Sequence, residues 1–191
     1  AYWGPQPITS GPMYVGAVAL FLAVLGLFLL RRRVTVWIVV IALLAILLAW
    51  GKNLMWFTEL FYYYFPMYDK FRTVSTILEI VGWCVPLHAA LTLQKLWSGE
   101  VPREKLFKGL KYTTIAVGGI ALLLLLLGGT LLSFTGEGDS QMFGGQQVDD
   151  VFAAMRAERA SLMRADALRS LVFVLLTAGT VLLFYRQKIK R

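Results

Sequence analysis

Apolar runs of about 18 residues recur along this chain, and each stops at charged or aromatic residues. No other feature restricts the fold as strongly. A bilayer's hydrocarbon core is about 30 Å thick, and a helix of roughly 20 apolar residues crosses it. In hydrocarbon, backbone groups must be paired internally, so such runs form helices. The spacing predicts spans over 13–30, 34–50, 73–93, 113–133 and 168–185, hence an all-α polytopic membrane protein treated as one domain over 1–191. The first run ends at Arg31-Arg32-Arg33, and the fourth contains six consecutive leucines, Leu122–Leu127. With so short a connection, spans one and two are expected to form an antiparallel hairpin.

Of 191 residues, 58% are hydrophobic, with a mean hydropathy of +0.67. The net charge of +8 raises nucleic acid as a partner class, but most cations flank apolar runs, as in positive-inside loops, so no nucleic-acid partner is expected. With the N-terminal loop outside, the inside segments are 31–33, 94–112 and 186–191, and the outside ones 1–12, 51–72 and 134–167. Twelve of the nineteen Lys and Arg then fall inside, and the C-terminal tail is cytoplasmic. The single Cys84 permits no intrachain disulfide and reads as a packing residue. The opening AYWGPQPITSGP reads as the interior of a loop, which points to a piece of a longer polypeptide or of an assembly with other membrane subunits.

Trp50–Arg72, WGKNLMWFTELFYYYFPMYDKFR, is too polar to span and too aromatic for an ordinary loop. Rings with polar tips collect at the membrane–water interface. Fixed charges of both signs among them could hold a polar headgroup, and an aromatic belt with snorkelling charges gives the same pattern. A short interfacial helix is expected over 54–65, ended by Pro66. Further on, Val148, Val151, Phe152, Met155 and Leu162 recur at helical spacing, predicting an amphipathic helix lying on the membrane, with Asp149 and Asp150 near its start. Gly118-Gly119 and Gly128-Gly129 offer places for close helix packing.

Among residues that carry chemistry, Glu79 stands out. An intramembrane carboxylate costs a few kcal/mol, so it pairs or faces a polar cavity. Its candidate partners are Lys52, Lys70 and Arg72. His88 follows nine residues later, on the opposite side of the helix, and reads as a packed or interfacial residue rather than a dyad partner. Arg156, Arg159, Arg164 and Arg169 fit lipid or phosphate contact, or else snorkelling and a local pair with Asp166. One His and one Cys in one span give no metal spacing, and no phosphate-cradling glycine loop or nucleophile elbow occurs. No metal and no cofactor is expected.

Four stretches carry a resemblance: YWGPQPITSGPMYVG at the start, WGKN at Trp50–Asn53, YDKFRTVS at Tyr68–Ser75, and ERASLMRADALRSL at Glu158–Leu171. In this order, between spans of this length, they resemble the central to C-terminal part of the YfhO family of bacterial integral membrane proteins. The resemblance implies a multi-pass protein of the bacterial inner membrane that looks like C-type glycosyltransferases. Such enzymes transfer a sugar from a polyprenyl-phosphate carrier to a cell-envelope acceptor at the outer face. Their acidic catalytic residue lies in a first outer loop, so no catalytic base is assigned in this chain. The resemblance makes Lys52, Asn53, Tyr68, Asp69, Lys70, Arg72 and Glu79 the expected substrate-pocket residues. Lys70 and Arg72 are then matched to phosphate, and Asp69 and Glu79 to sugar hydroxyls or to the cations. A transporter using Glu79 and the Pro86 kink, and a non-catalytic envelope scaffold using its glycine faces, are the competing expectations.

Overall fold

The computed structural model describes residues 14–66, 68, 74–135 and 149–189, without the side chains of 52, 53, 74, 75 and 187–189. The chain is an all-α polytopic membrane protein with no strand among the described residues. Among the described residues, four helices are long and apolar enough to cross a membrane, and one apolar helix is shorter. The helices are α1 (Ala17–Leu29), α2 (Arg32–Ala49), α3 (Met55–Tyr64), α4 (Glu79–Ser98), α5 (Arg103–Thr113), α6 (Gly119–Leu131) and α7 (Asp149–Ile189). The chain falls into two compact units, 13–110 and 111–187.

In the first unit, α4 is the centre. Both α1 and α2 pack on it, and they touch each other far less than they touch α4. The expected hairpin of the first two spans is thus not the main packing pair. The reason lies in side-chain size. Gly26 on α1 leaves a gap that the α4 side chains of Thr92 and His88 fill: a Cβ on Gly26 would stand 2.3 Å from Thr92 Oγ1 and 2.8 Å from His88 Cε1. Phe21, Leu22, Leu25 and Leu29 are buried on the same helix.

The histidine ties three helices together. The carbonyl of Ala23 can only accept, so His88 donates from Nδ1 to Ala23 O at 2.8 Å. Its Nε2 faces Thr35 Oγ1 of α2 at 3.4 Å, and Thr92 Oγ1 donates to His88 O at 2.8 Å. His88 is buried while Glu79 is exposed, as their nine-residue spacing predicts. Between helices in lipid, close packing and hydrogen bonds replace the hydrophobic drive, so a satisfied polar node of this kind carries weight. The pairs 23 with 88 and 26 with 92 make α1 and α4 parallel. The contact of α2 with both Thr35's partner and the 3-10 turn Val74–Leu78 makes α2 antiparallel to them.

Several element boundaries differ from the sequence expectation. α1 has 13 residues, about 20 Å at 1.5 Å per residue, short of the hydrocarbon thickness. Gly16, at φ 85, precedes its start, and Leu30 turns extended at its end. Residues 103–112, expected as polar loop, are helical. Arg, Glu, Lys and Leu are good helix formers, and α5 runs through a π turn at Thr114–Gly118 into α6 without a break. α4 continues through Pro86 to Ser98, where Gly99 at φ 74 closes it with a bond to Leu96 O.

In the second unit, α7 is one helix of 41 residues, about 60 Å long, twice the hydrocarbon thickness. The expected surface helix and the fifth span are therefore one element. No Pro or Gly interrupts 149–178, and Asp149 and Asp150 stand in the first turn as expected. α6 and α7 pack antiparallel through side chains: Met163 reaches Gly128, and Leu171 and Val174 reach Gly118. Two of the four expected packing glycines, Gly118 and Gly128, are thus buried against this chain's own helix. Nothing lies within 4 Å of a Cβ built on Gly119.

Candidate functional site

The polar and aromatic segment after α2 has a definite local fold. α2 ends at Trp50, and Gly51–Leu54 forms a 3-10 turn that takes the backbone of Lys52 and Asn53 with it. Gly51 has φ 47 and is buried, a conformation that glycine reaches without a Cβ penalty. Thr58 Oγ1 donates to Gly51 O at 3.0 Å and stands 3.3 Å from Leu54 O, which locks the turn onto α3. α3 ends where expected: Phe65 is extended, as the residue before a proline must be, and Pro66 cannot continue the helix. A 3-10 turn at Val74–Leu78 packs on α2 and leads into α4. The described parts of the segment therefore sit at the C-terminal end of α2 and the N-terminal end of α4.

Aromatic contacts run along α3. Tilted ring pairs form between Phe57 and Phe61 at 5.2 Å, Phe61 and Phe65 at 5.7 Å, and Phe61 and Tyr68 at 6.0 Å between centroids. No residue of α3 is buried. Trp56, Tyr63 and Tyr64 are strongly exposed, at 69%, 75% and 81%. A ten-residue helix with this surface has its rings free for a membrane interface.

Tyr68 is the expected site residue whose surroundings are most telling. Its backbone N–H donates to Phe65 O at 3.3 Å, and its ring leans on Phe61. Its hydroxyl is shielded from solvent and has no hydrogen-bond partner among the described residues. Burial pushes its phenol above the ordinary tyrosine value. A shielded hydroxyl left without a partner costs about 1–3 kcal/mol.

The other expected residues divide. Glu79 is the first residue of α4, three residues into the candidate span Thr76–Ser98, and it is exposed. Asp69, Lys70 and Arg72 lie outside the described residues, as do the side chains of Lys52 and Asn53.

The four arginines of α7 serve different purposes. Arg159 Nη1 donates to Phe134 O at 2.9 Å, a residue with φ 52, so it ties the chain after α6 to α7. Arg169 stands 3.7 Å from Asp166, the local pair that the sequence offered as an alternative, and both are exposed. Arg164 lies over Gly129, where a Cβ would be 2.7 Å from Nη2. Arg156 is exposed. They form no single anion site among the described residues. No group of three metal-ligating side chains occurs among the described residues either.

Sequence reasoning placed His88 as a packed residue but gave it no partner. The signal was present as Gly26 facing a His-x-x-x-Thr repeat on another helix, although nothing in one sequence pairs them. No family model, no curated protein and no solved structure matches the chain.

Proposed function

We propose that this chain is the membrane part of a YfhO-like, glycosyltransferase-type protein that moves a sugar from a polyprenyl-phosphate carrier to a cell-envelope acceptor. In the reaction, an acceptor hydroxyl attacks the anomeric carbon, the bond from that carbon to the phosphate oxygen breaks, and the carrier leaves as its phosphate. The residues of Trp50–Leu78 form the rim that holds the carrier headgroup. Lys70 and Arg72 neutralise the phosphate, and Asp69 and Glu79 hold sugar hydroxyls or the cations. The base that takes the acceptor's proton is supplied from outside this chain.

The observation that carries this reading is the hydroxyl of Tyr68, shielded and unpaired among the described residues, one residue before Asp69-Lys70 in sequence and between elements that pack at the ends of α2 and α4. It has the character of a preformed hydrogen-bonding group next to charges, with aromatic rings for the prenyl chain beside it. The sequence resemblance in WGKN and YDKFRTVS supports the same substrate class.

Tyr68→Phe tests it. Removing an unpaired hydroxyl relieves its desolvation cost, so the variant is expected to unfold at a slightly higher temperature, by about 1 kcal/mol of added stability. Sugar transfer by the full-length protein in proteoliposomes, from a panel of polyprenyl-phosphate hexoses, is expected to fall about tenfold or more. Unchanged transfer overturns the role of Tyr68. A merely structural tyrosine gives the stability change alone.

A further inference from the structure

At the other end of α2 and α4, a cavity of about 680 Å³ opens where the joint of α1 and α2 meets the start of α5. Four cations line it: Arg31, Arg32, Lys95 and Lys105. One carboxylate, Glu100, faces them, and it is already taken by an ion pair with Lys95. The hydrogen bond from Lys95, its charge and, more weakly, the charge of Arg31 hold the Glu100 carboxyl below the usual range. Its negative charge is therefore kept at neutral pH, and the lining still carries three cations in excess. Among the described residues no ion pair involves Arg31, Arg32 or Lys105. Apart from Thr35, the remaining wall is apolar, with Leu27 to Leu30 from one side and Val101 and Pro102 from the other.

We propose that this cavity binds the phosphate headgroup of an anionic membrane lipid. Cations at the rim with apolar residues behind them match a molecule that is charged at one end and hydrocarbon at the other. A basic pocket between membrane helices, at the level where cations end the apolar runs, is a recognised lipid-headgroup arrangement. Arg31 and Arg32 offer planar donor forks for phosphate oxygens, and Lys105 adds a point charge. The lipid's first methylenes lie along Phe28 and Leu30. The site is independent of the aromatic rim, since α2 separates the two by its length of 18 residues, about 27 Å.

The test is lipid retention by the detergent-purified full-length protein in native mass spectrometry, with phosphatidylglycerol and phosphatidylcholine offered at equal concentration. The wild type is expected to retain phosphatidylglycerol about a hundredfold more. Each cation near a phosphate is worth about fivefold in binding, so Arg31→Gln/Arg32→Gln/Lys105→Gln is expected to lose that preference. Arg103→Gln/Lys108→Gln/Lys111→Gln removes as much charge outside the lining and is expected to keep it. If the triple cavity variant does not fold, Lys105→Gln alone is expected to lower the preference about fivefold. Equal retention of the two lipids by the wild type, an unchanged preference in the cavity variants, or an equal loss in the control triple overturns the proposal. Inorganic phosphate at millimolar concentration is the remaining arm. Failure to displace phosphatidylglycerol supports the lipid as ligand, whereas full displacement identifies a free-phosphate site and overturns the lipid.

Discussion

Gly26→Ala is expected to destabilise the first unit by about 2–4 kcal/mol, although it adds only a methyl group to an apolar helix. The added Cβ lands 2.3 Å from Thr92 Oγ1 and 2.8 and 2.9 Å from two atoms of the His88 ring. Overpacking of a well-filled site costs about 1–3 kcal/mol. Moving the ring also stretches the bond from Nδ1 to Ala23 O, and a buried group left unpaired costs about 1–3 kcal/mol more. Neither obstruction is the loose end of a long side chain, since Thr92 is completely buried and His88 nearly so. The check is thermal unfolding in detergent, where Gly26→Ala should melt several degrees below wild type and Gly119→Ala, which meets nothing, should not. Combining Gly26→Ala with Thr92→Ala removes the nearest obstruction and should recover part of the loss. A wild-type melting temperature for Gly26→Ala would mean that α1 and α4 do not pack through this node.

Lys70→Ala/Arg72→Ala is expected to reduce sugar transfer about a hundredfold or more while leaving expression and thermal unfolding near wild type. Charge-assisted bonds to a phosphate are worth about 1.5–3 kcal/mol each, and the loss of two such bonds corresponds to that factor. Both residues belong to a polar segment between spans, so no core packing is expected to depend on them. The rate should fall for every sugar offered, because the phosphate is common to all carriers. Lys108→Ala, an exposed cation of α5, serves as the charge control. Transfer that survives the double change removes the phosphate role from this segment. Transfer lost equally in Lys108→Ala points to a general charge effect.

Much of the fold was legible because a bilayer leaves few choices. The apolar runs became helices, Pro66 stopped α3, and the nine-residue spacing put Glu79 and His88 on different sides of α4. What failed to show was continuity. A change from amphipathic to apolar composition near Leu168 looks like a boundary, yet α7 runs through it because no residue there opposes a helix. The cations from Arg103 to Lys111 looked like loop for the same reason, although they are helix formers. Packing partners were invisible as well. His88 finds its acceptor 65 residues away, and only the shape of α1 at Gly26 explains why α4 rather than α2 fills that space. The same holds for the cavity at the α1–α2 joint, where Arg31 and Lys105 meet only in three dimensions. Of the candidate site, the aromatic character was readable from composition, and the role of YDKFR came only from resemblance. That the Tyr68 hydroxyl is shielded and unpaired among the described residues needed the structure.

The central claim is that the Trp50–Leu78 rim belongs to an enzyme that uses a lipid-linked sugar. Native mass spectrometry of the protein extracted in mild detergent from its own membrane tests it most directly. A polypeptide well above 21.4 kDa carrying a polyprenyl-phosphate sugar is expected, with the lipid lost in Lys70→Ala/Arg72→Ala. A polypeptide near 21.4 kDa, without carrier lipid and bound stoichiometrically to another membrane protein, would contradict it and favour a scaffold.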